Sequence, residues 1–272
     1  MSPLFFDTVF AYSRSIIPWL FLGIILAYYA EKHLGPELIK KYIGVFSFRK
    51  AMSAIFLGMI SPLSIMSFLP VAREFVDLGA HSGMLFIFLI AERAYDLQSF
   101  FIISSLFGLK FAFFNALAIF ISLFVTALAL KREHITFQLQ KKRQHTFWYQ
   151  QVRLLCIVIV GILISSLVRV NIPQQLFEGY TGNTIGGLFG GILAGFLIYL
   201  GPIIANYPIA KAFLDLGMTH MGVFAFLTIS PIINFVIFLL FGGVVGYQTT
   251  IKAFLIYGVT SLFLTLLFSL LL

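Results

Sequence analysis

Charge is scarce in this 272-residue chain: 10% of its residues are Asp, Glu, Lys or Arg. A soluble domain carries about a quarter. With 60% hydrophobic residues and a mean hydropathy of +1.02, that scarcity excludes a soluble globular domain. The longest polar stretch is Lys131–Arg153. Cysteine is nearly absent as well. Cys156 stands alone, so no disulfide forms within the chain and no thiolate metal site can be built. In its apolar run it reads as a small buried hydrophobe. The histidines are dispersed: His81 and His220 at turns, and His33, His134 and His145 in polar loops. No metal site is expected. Neither a nucleophile–base motif nor a phosphate-binding glycine loop occurs. That argues against an enzyme, against a cofactor, and against ATP-driven transport by this chain alone.

The positive charge is placed, not spread. Of 18 Lys/Arg, five lie in Glu31–Lys50 and six in Lys131–Arg153. Basic loops beside apolar segments mark the cytoplasmic face of a membrane protein. The net charge of +8 therefore points to membrane lipids as partners and not to nucleic acid. A multi-pass protein of the bacterial cytoplasmic membrane is expected. Its oligomeric state is not legible.

Along the chain, Ile16–Tyr29 reads as an uncleaved first span, with Trp19, Tyr28 and Tyr29 as interfacial anchors. Glu31–Lys50 has apolar residues at helical spacing and is expected to lie along the surface. Ala51–Gly79 is apolar but broken by Pro62 and Pro70. Each removes a backbone N–H and clashes with the preceding turn. Ser82–Gly108 is interrupted by Glu92-Arg93-Ala94-Tyr95-Asp96. Lys110–Leu130 and Leu154–Val168 read as clean spans, joined by the basic loop. After a polar connection, Asn171–Asn183, the segment Ile185–Gly217 breaks at Pro202 and Pro208. Met221–Phe241 breaks at Ser230-Pro231-Ile232-Ile233-Asn234, and Thr250–Leu272 is the last span. Glycines at 186, 187, 190, 191 and 195 read as close helix packing.

The sequence repeats itself at a shift of 138. Pro70–Gly79 then overlies Pro208–Gly217 with six of ten residues identical, and Tyr42 meets Tyr180, Gly44 meets Gly182, and Asp96 meets Asn234. Shared hydrophobicity does not align Pro, Asp, Gly and Tyr at one offset. The chain divides into repeat 1 (1–130), the basic loop (131–153) and repeat 2 (154–272). Glu31–Lys50 holds five Lys/Arg while its counterpart Arg169–Gly187 holds one, so the copies are expected to face opposite leaflets. The expected fold is an all-α polytopic membrane protein with two inverted repeats, whose broken or re-entrant helices meet near the midplane. Both basic loops lie on one side only if one broken segment of repeat 1 is a re-entrant hairpin. The competing layout has every segment crossing, eight spans and parallel repeats.

The paired layout Ser61-Pro62-Leu63-Ser64-Ile65-Met66-Ser67-Phe68-Leu69-Pro70 and Gly201-Pro202-Ile-Ile-Ala-Asn206-Tyr207-Pro208, with a break after each, resembles the predicted permeases that include the ArsP-type exporters of trivalent organoarsenicals. The resemblance runs from about Ile16 to Leu272 and implies a permease architecture. Where that family carries closely spaced cysteines, this chain has Ser64 and Met66, and Asn206 in the second copy. Soft arsenic needs thiolates, so arsenic export does not carry over.

Glu92, Arg93 and Asp96 are the leading site candidates. Ionisable groups inside membrane segments cost about 2.5–3.5 kcal/mol each and usually face a cavity or a partner. If the backbone is helical there, Asp96 sits one turn from both others. They read either as an anion-holding Arg93 with proton-accepting carboxylates, or as an ion pair that locks the break. Ser64, Asn206, Ser230 and Asn234 add polar groups that bind solute or cap half-helices. Arg73/Asp77 and Lys211/Asp215 read as i,i+4 ion pairs at the membrane edge. The expected function is secondary transport of a small anionic or amphiphilic solute at the repeat interface, coupled to protons. The alternative is a flippase-like translocator of lipids or lipid-linked substrates. An intramembrane enzyme and a structural subunit stand further back.

Overall fold

A computed structural model describes residues 3–33, 46–60, 81–133, 135–137, 147–200 and 202–271. Ser64, Pro62, Pro70, Arg73 and Asp77 lie outside the described residues. All regular structure that is described is helical. In chain order it comprises α1 (Pro3–His33), α2 (Phe48–Ile60), α3 (Ser82–Ala94), α4 (Leu97–Phe107), α5 (Leu109–Leu130) and α6 (Phe147–Asn171). Then follow α7 (Gln174–Thr181), α8 (Thr184–Ile198), a 3-10 turn (Ile203–Asn206), α9 (Tyr207–Asp215), α10 (His220–Ile229), α11 (Phe235–Val245) and α12 (Tyr247–Ser269). Among the described residues, four helices carry stretches long and apolar enough to cross a bilayer: Leu4–Leu26, Leu109–Leu130, Gln151–Asn171 and Tyr247–Ser269. The chain is an all-α, multi-pass membrane protein.

The first span is longer than expected. Pro18 sits inside α1 without ending it, and the apolar stretch begins at Leu4, well before Ile16. The polar connection before Ile185 holds α7, which meets α8 at a bend of 105°. Cys156 is not buried: it lies on the outward face of α6, where the apolar surface of a span meets lipid.

Helix ends coincide at the shift of 138. α4 overlies α11 end to end, α2 and α8 stop at equivalent residues, and α1 and α6 do the same. Gly108 and Gly246 occupy the same unusual backbone region, φ 94° and 85°, which glycine adopts without a Cβ clash. His81 and Thr219 cap α3 and α10 in the same way, each side chain accepting an N–H three residues on.

Equivalent helices run antiparallel. Phe114 near the start of α5 meets Phe268 at the end of α12, with ring centroids 5.0 Å apart. At the other end Lys252 of α12 pairs with Glu133, just past α5. Likewise Tyr28 late in α1 stacks on Trp148 early in α6 at 6.1 Å, while Tyr12 of α1 and Arg169 of α6 share Asp215 at the opposite end.

The half-helices follow the same scheme. α2 starts where α3 starts: Phe46 lies 5.8 Å from His81, ring to ring. In the second half the Thr219 N–H donates to the Thr181 carbonyl at 3.2 Å, so the chain entering through α8 is back at the same end by α10. α2 and α8, with 13 and 15 residues, reach roughly 20 Å at 1.5 Å per residue, short of a bilayer core of about 30 Å. α3 and α10 are buried almost all round, as expected of central helices that are apolar on every face. The glycines of α8 serve close packing: a Cβ on Gly191 would come within 2.1 Å of the Gly222 carbonyl, and one on Gly187 within 2.0 Å of Thr219 Oγ1.

One packing relationship is not repeated. α1 seats on α4, with Gly23 against Gln98 and Trp19 stacked on Phe101 at 5.8 Å. Gly161, the equivalent of Gly23, instead faces the Ala205 carbonyl. Among the described residues α6 makes no comparable contact with α11. Gln98 is 6% exposed and its counterpart Val236 is 53% exposed.

Candidate functional site at the facing helix breaks

α3 and α4 are joined by Tyr95 and Asp96, both extended (φ −158° and −136°). The link is therefore not helical, and Asp96 does not sit one helical turn from Glu92 and Arg93. Asp96 is the N-cap of α4. Its Oδ1 accepts the Ser99 N–H and the Ser99 hydroxyl, each at 2.7 Å, and its own N–H donates to Ser99 Oγ at 3.4 Å. Arg93 occupies the last turn of α3. A cation at a helix C-terminus and a carboxylate at an N-terminus each complement the helix dipole, so the break orders its own charges.

The second half supplies the opposite wall. After α8 the chain turns through Tyr199, Pro202 and the 3-10 turn into α9, with Pro208 in the first turn of α9, where its missing N–H costs nothing. The amide of Asn206 holds this turn: Oδ1 accepts the Leu200 N–H at 2.8 Å, and Nδ2 donates to the carbonyls of Leu200 at 2.8 Å and Pro202 at 3.1 Å. Opened backbone is tolerated in a membrane only when satisfied in this way. Asn206 is thus committed to its own backbone.

Two contacts join the walls. The Arg93 guanidinium lies over the Tyr199 ring, 5.7 Å from its centroid. The Tyr207 hydroxyl donates to Ser99 Oγ. Arg93 makes no ion pair with Asp96. Arg93 Nε and the hydroxyls of Tyr95 and Tyr199 are buried and lack hydrogen-bond partners among the described residues.

Ser230 and Asn234 are buried at the break between α10 and α11, which contains Pro231. Asn234 caps α11, accepting the Ile237 N–H at 2.9 Å and donating to the Ser230 carbonyl at 2.7 Å. Ser230 Oγ sits against Gly195 and has no partner among the described residues. A buried network lies beside this break: Asn115 Nδ2 donates to Thr228 Oγ1 at 2.9 Å, and the Tyr257 hydroxyl to the Thr228 carbonyl at 2.7 Å.

Glu92, Arg93, Asp96 and Asn206 therefore gather at the first break and the turn facing it, whereas Ser230 and Asn234 belong to the second break. Sequence reasoning missed Tyr95, Ser99, Tyr199 and Tyr207. Tyr199 and Tyr207 flank the proline-rich turn, and that position was the available signal. Lys211 and Asp215 form the expected i,i+4 pair at 2.6 Å. Asp215 also takes Arg169 and, at 2.9 Å, the Tyr12 hydroxyl, so the pair ties α1, α6 and α9 together. Among the described residues no cluster of His, Cys, Asp and Glu could hold a metal ion. No protein-family model, curated protein or solved structure matches the chain.

Proposed function

We propose that this protein is a permease, a secondary transporter of a small solute, with its site where the Tyr95-Asp96 break meets the turn at Tyr199–Tyr207. The reading rests on one observation above all: a charged break in one half of the chain is closed by tyrosines from the other half. Polar groups with incomplete partners inside a membrane protein mark solute or ion paths. Paired units of opposite orientation, with interrupted helices meeting at mid-depth, are the usual build of such transporters. The antiparallel equivalent helices support that build here. So does the common starting end of α2 and α3, and of α8 and α10, with α2 and α8 read as the entry limbs of re-entrant hairpins. The likeness of the proline-broken stretches to the predicted permeases agrees with it. With both basic loops on the cytoplasmic side, the protein belongs in a bacterial inner membrane.

The unequal packing of α1 on α4 and α6 on α11 suits alternating access. Two equivalent contacts, one closed and one open, exchange during a cycle.

The test is uptake into proteoliposomes of radiolabelled phosphate, sulfate, acetate, succinate and benzoate, with lipid scrambling measured in the same vesicles. Native protein moves at least one solute, and Arg93→Ala abolishes that uptake while keeping its elution profile and melting behaviour. Normal uptake by Arg93→Ala removes the site. Scrambling without solute uptake replaces the reading with lipid translocation.

A further inference from the structure

We propose that the first break binds an oxyanion, a carboxylate or a phosphate, together with a proton carried on Asp96, with Arg93 as the group that holds the anion; this rests on the permease reading above.

The repeat provides an internal control. Asp96 and Asn234 are equivalent, and both are extended N-caps, φ −136° and −147°. Each accepts the N–H three residues on, at 2.7 and 2.9 Å. A neutral amide therefore performs the structural task at this position, and Asp and Asn are comparable caps. Capping does not require the acid that the first half carries. The same comparison sets Glu92 and Arg93 against Ser230 and Pro231, so the second half makes its break without any charge.

Arg93 is prepared for an anionic acceptor. Its guanidinium lies over the Tyr199 ring, and its buried Nε has no partner among the described residues, so a donor is left for an oxyanion. Tyr95 and Tyr199 are each more than nine-tenths buried, with hydroxyls unpartnered among the described residues. They belong to one electrostatic cluster with Tyr207 and Asp96 and are donors for the same ligand.

Charge then dictates the coupling. Arg93 and Asp96 cancel when both are ionised. A bound oxyanion then faces the Asp96 carboxylate in a region of low dielectric, where like charges repel strongly. A proton on Asp96 removes that repulsion. Among the described residues, the titratable groups that act on Asp96 or share its cluster are Arg93 of α3, Tyr95 of the link, Tyr199 of the facing turn and Tyr207 of α9, and Glu92 precedes Arg93 in the last turn of α3. The neighbours that α1 and α5 bring to α4 are uncharged, Gly23 at Gln98 and Phe111 at Phe107. Asp96 is thus the carboxylate that the break can neutralise while Arg93 stays charged.

The experiment is calorimetric titration of full-length protein in nanodiscs with inorganic phosphate, acetate, succinate or benzoate, in two buffers of unlike ionisation enthalpy. At pH above the Asp96 pKa of the free protein, native protein takes up one proton per anion. Its affinity is flat at low pH and falls about tenfold per pH unit above the Asp96 pKa of the free protein. Asp96→Asn, which copies the second-half cap and should fold, binds the anion with no proton uptake and no pH dependence. Arg93→Gln binds none of the probes. The phosphate and carboxylate arms tell the two oxyanions apart. Binding without proton uptake, uptake retained in Asp96→Asn, or no binding of any probe overturns the proposal. Solute transport with no linked proton would sink this inference and leave the permease standing. Proton-linked binding without transport would do the reverse.

Discussion

Tyr207, which opens α9 in the second half of the chain, donates its hydroxyl to Ser99 Oγ, one turn into α4 in the first. Ser99 Oγ in turn donates to Asp96 Oδ1 at 2.7 Å, so three side chains form one directed chain of hydrogen bonds across the interface. Tyr207→Phe removes the outer link and leaves the Asp96–Ser99 cap intact. The expected cost is about 0.5–1.5 kcal/mol of stability, read as a small drop in melting temperature in detergent. If the protein is the permease proposed above, the lost bond joins the two walls of its site, and uptake rate should fall more than stability does. Unchanged uptake in Tyr207→Phe would mean that the bond is incidental.

Asp215 gathers donors from three helices: Arg169, Lys211 at 2.6 Å and Tyr12 at 2.9 Å. Asp215→Asn leaves two cations facing each other with no counter-charge. It should lower stability by about 1–3 kcal/mol, more than Tyr12→Phe, which removes one hydrogen bond. Added salt should narrow the gap between Asp215→Asn and native protein, since the new repulsion is screened. Thermal unfolding at low and high ionic strength measures both effects.

Gly191 permits α8 to touch α10. A Cβ there would meet the Gly222 carbonyl at 2.1 Å, and backbone cannot step aside as a side chain can. Gly191→Leu should force the helices apart at a cost of at least about 1–3 kcal/mol. Gly243→Ala, where a Cβ meets nothing within 4 Å, should be neutral. Yield of monodisperse protein after detergent extraction separates the two.

The contact between Trp19 and Phe101 has an empty counterpart at Ile157 and Leu239. In a Cys156→Ser background, cysteines at 19 and 101 should cross-link readily in the conformation described. If the two contacts exchange as in the proposed transport cycle, cysteines at 157 and 239 should cross-link only when a transported solute is present. Equal trapping of both pairs under all conditions would rule out their exchange.

The shift of 138 was legible where a residue is locally required. Asp96 and Asn234 each end an extended link as a helix cap, so a capping residue recurs at that shift whatever lies between. The basic loops were legible because charge does not cross lipid readily. The fate of each polar side chain was not. Asn206 and Arg93 look equally available in a list of residues. The first is bound up in the turn at Leu200 and Pro202, whereas the second faces a tyrosine more than a hundred positions away. Cys156 misled for the same reason: in a membrane an apolar run is as compatible with facing lipid as with facing core.

Composition and spacing thus determined that the chain is helical and embedded, since those properties follow from transfer energies and backbone sterics acting over a few residues at a time. Which helices pack together and which remain apart, and that tyrosines near the Pro202 turn reach Arg93 and Ser99, were decided only in three dimensions. Such pairings depend on shape and on hydrogen-bond completion between distant segments, and no local pattern encodes them.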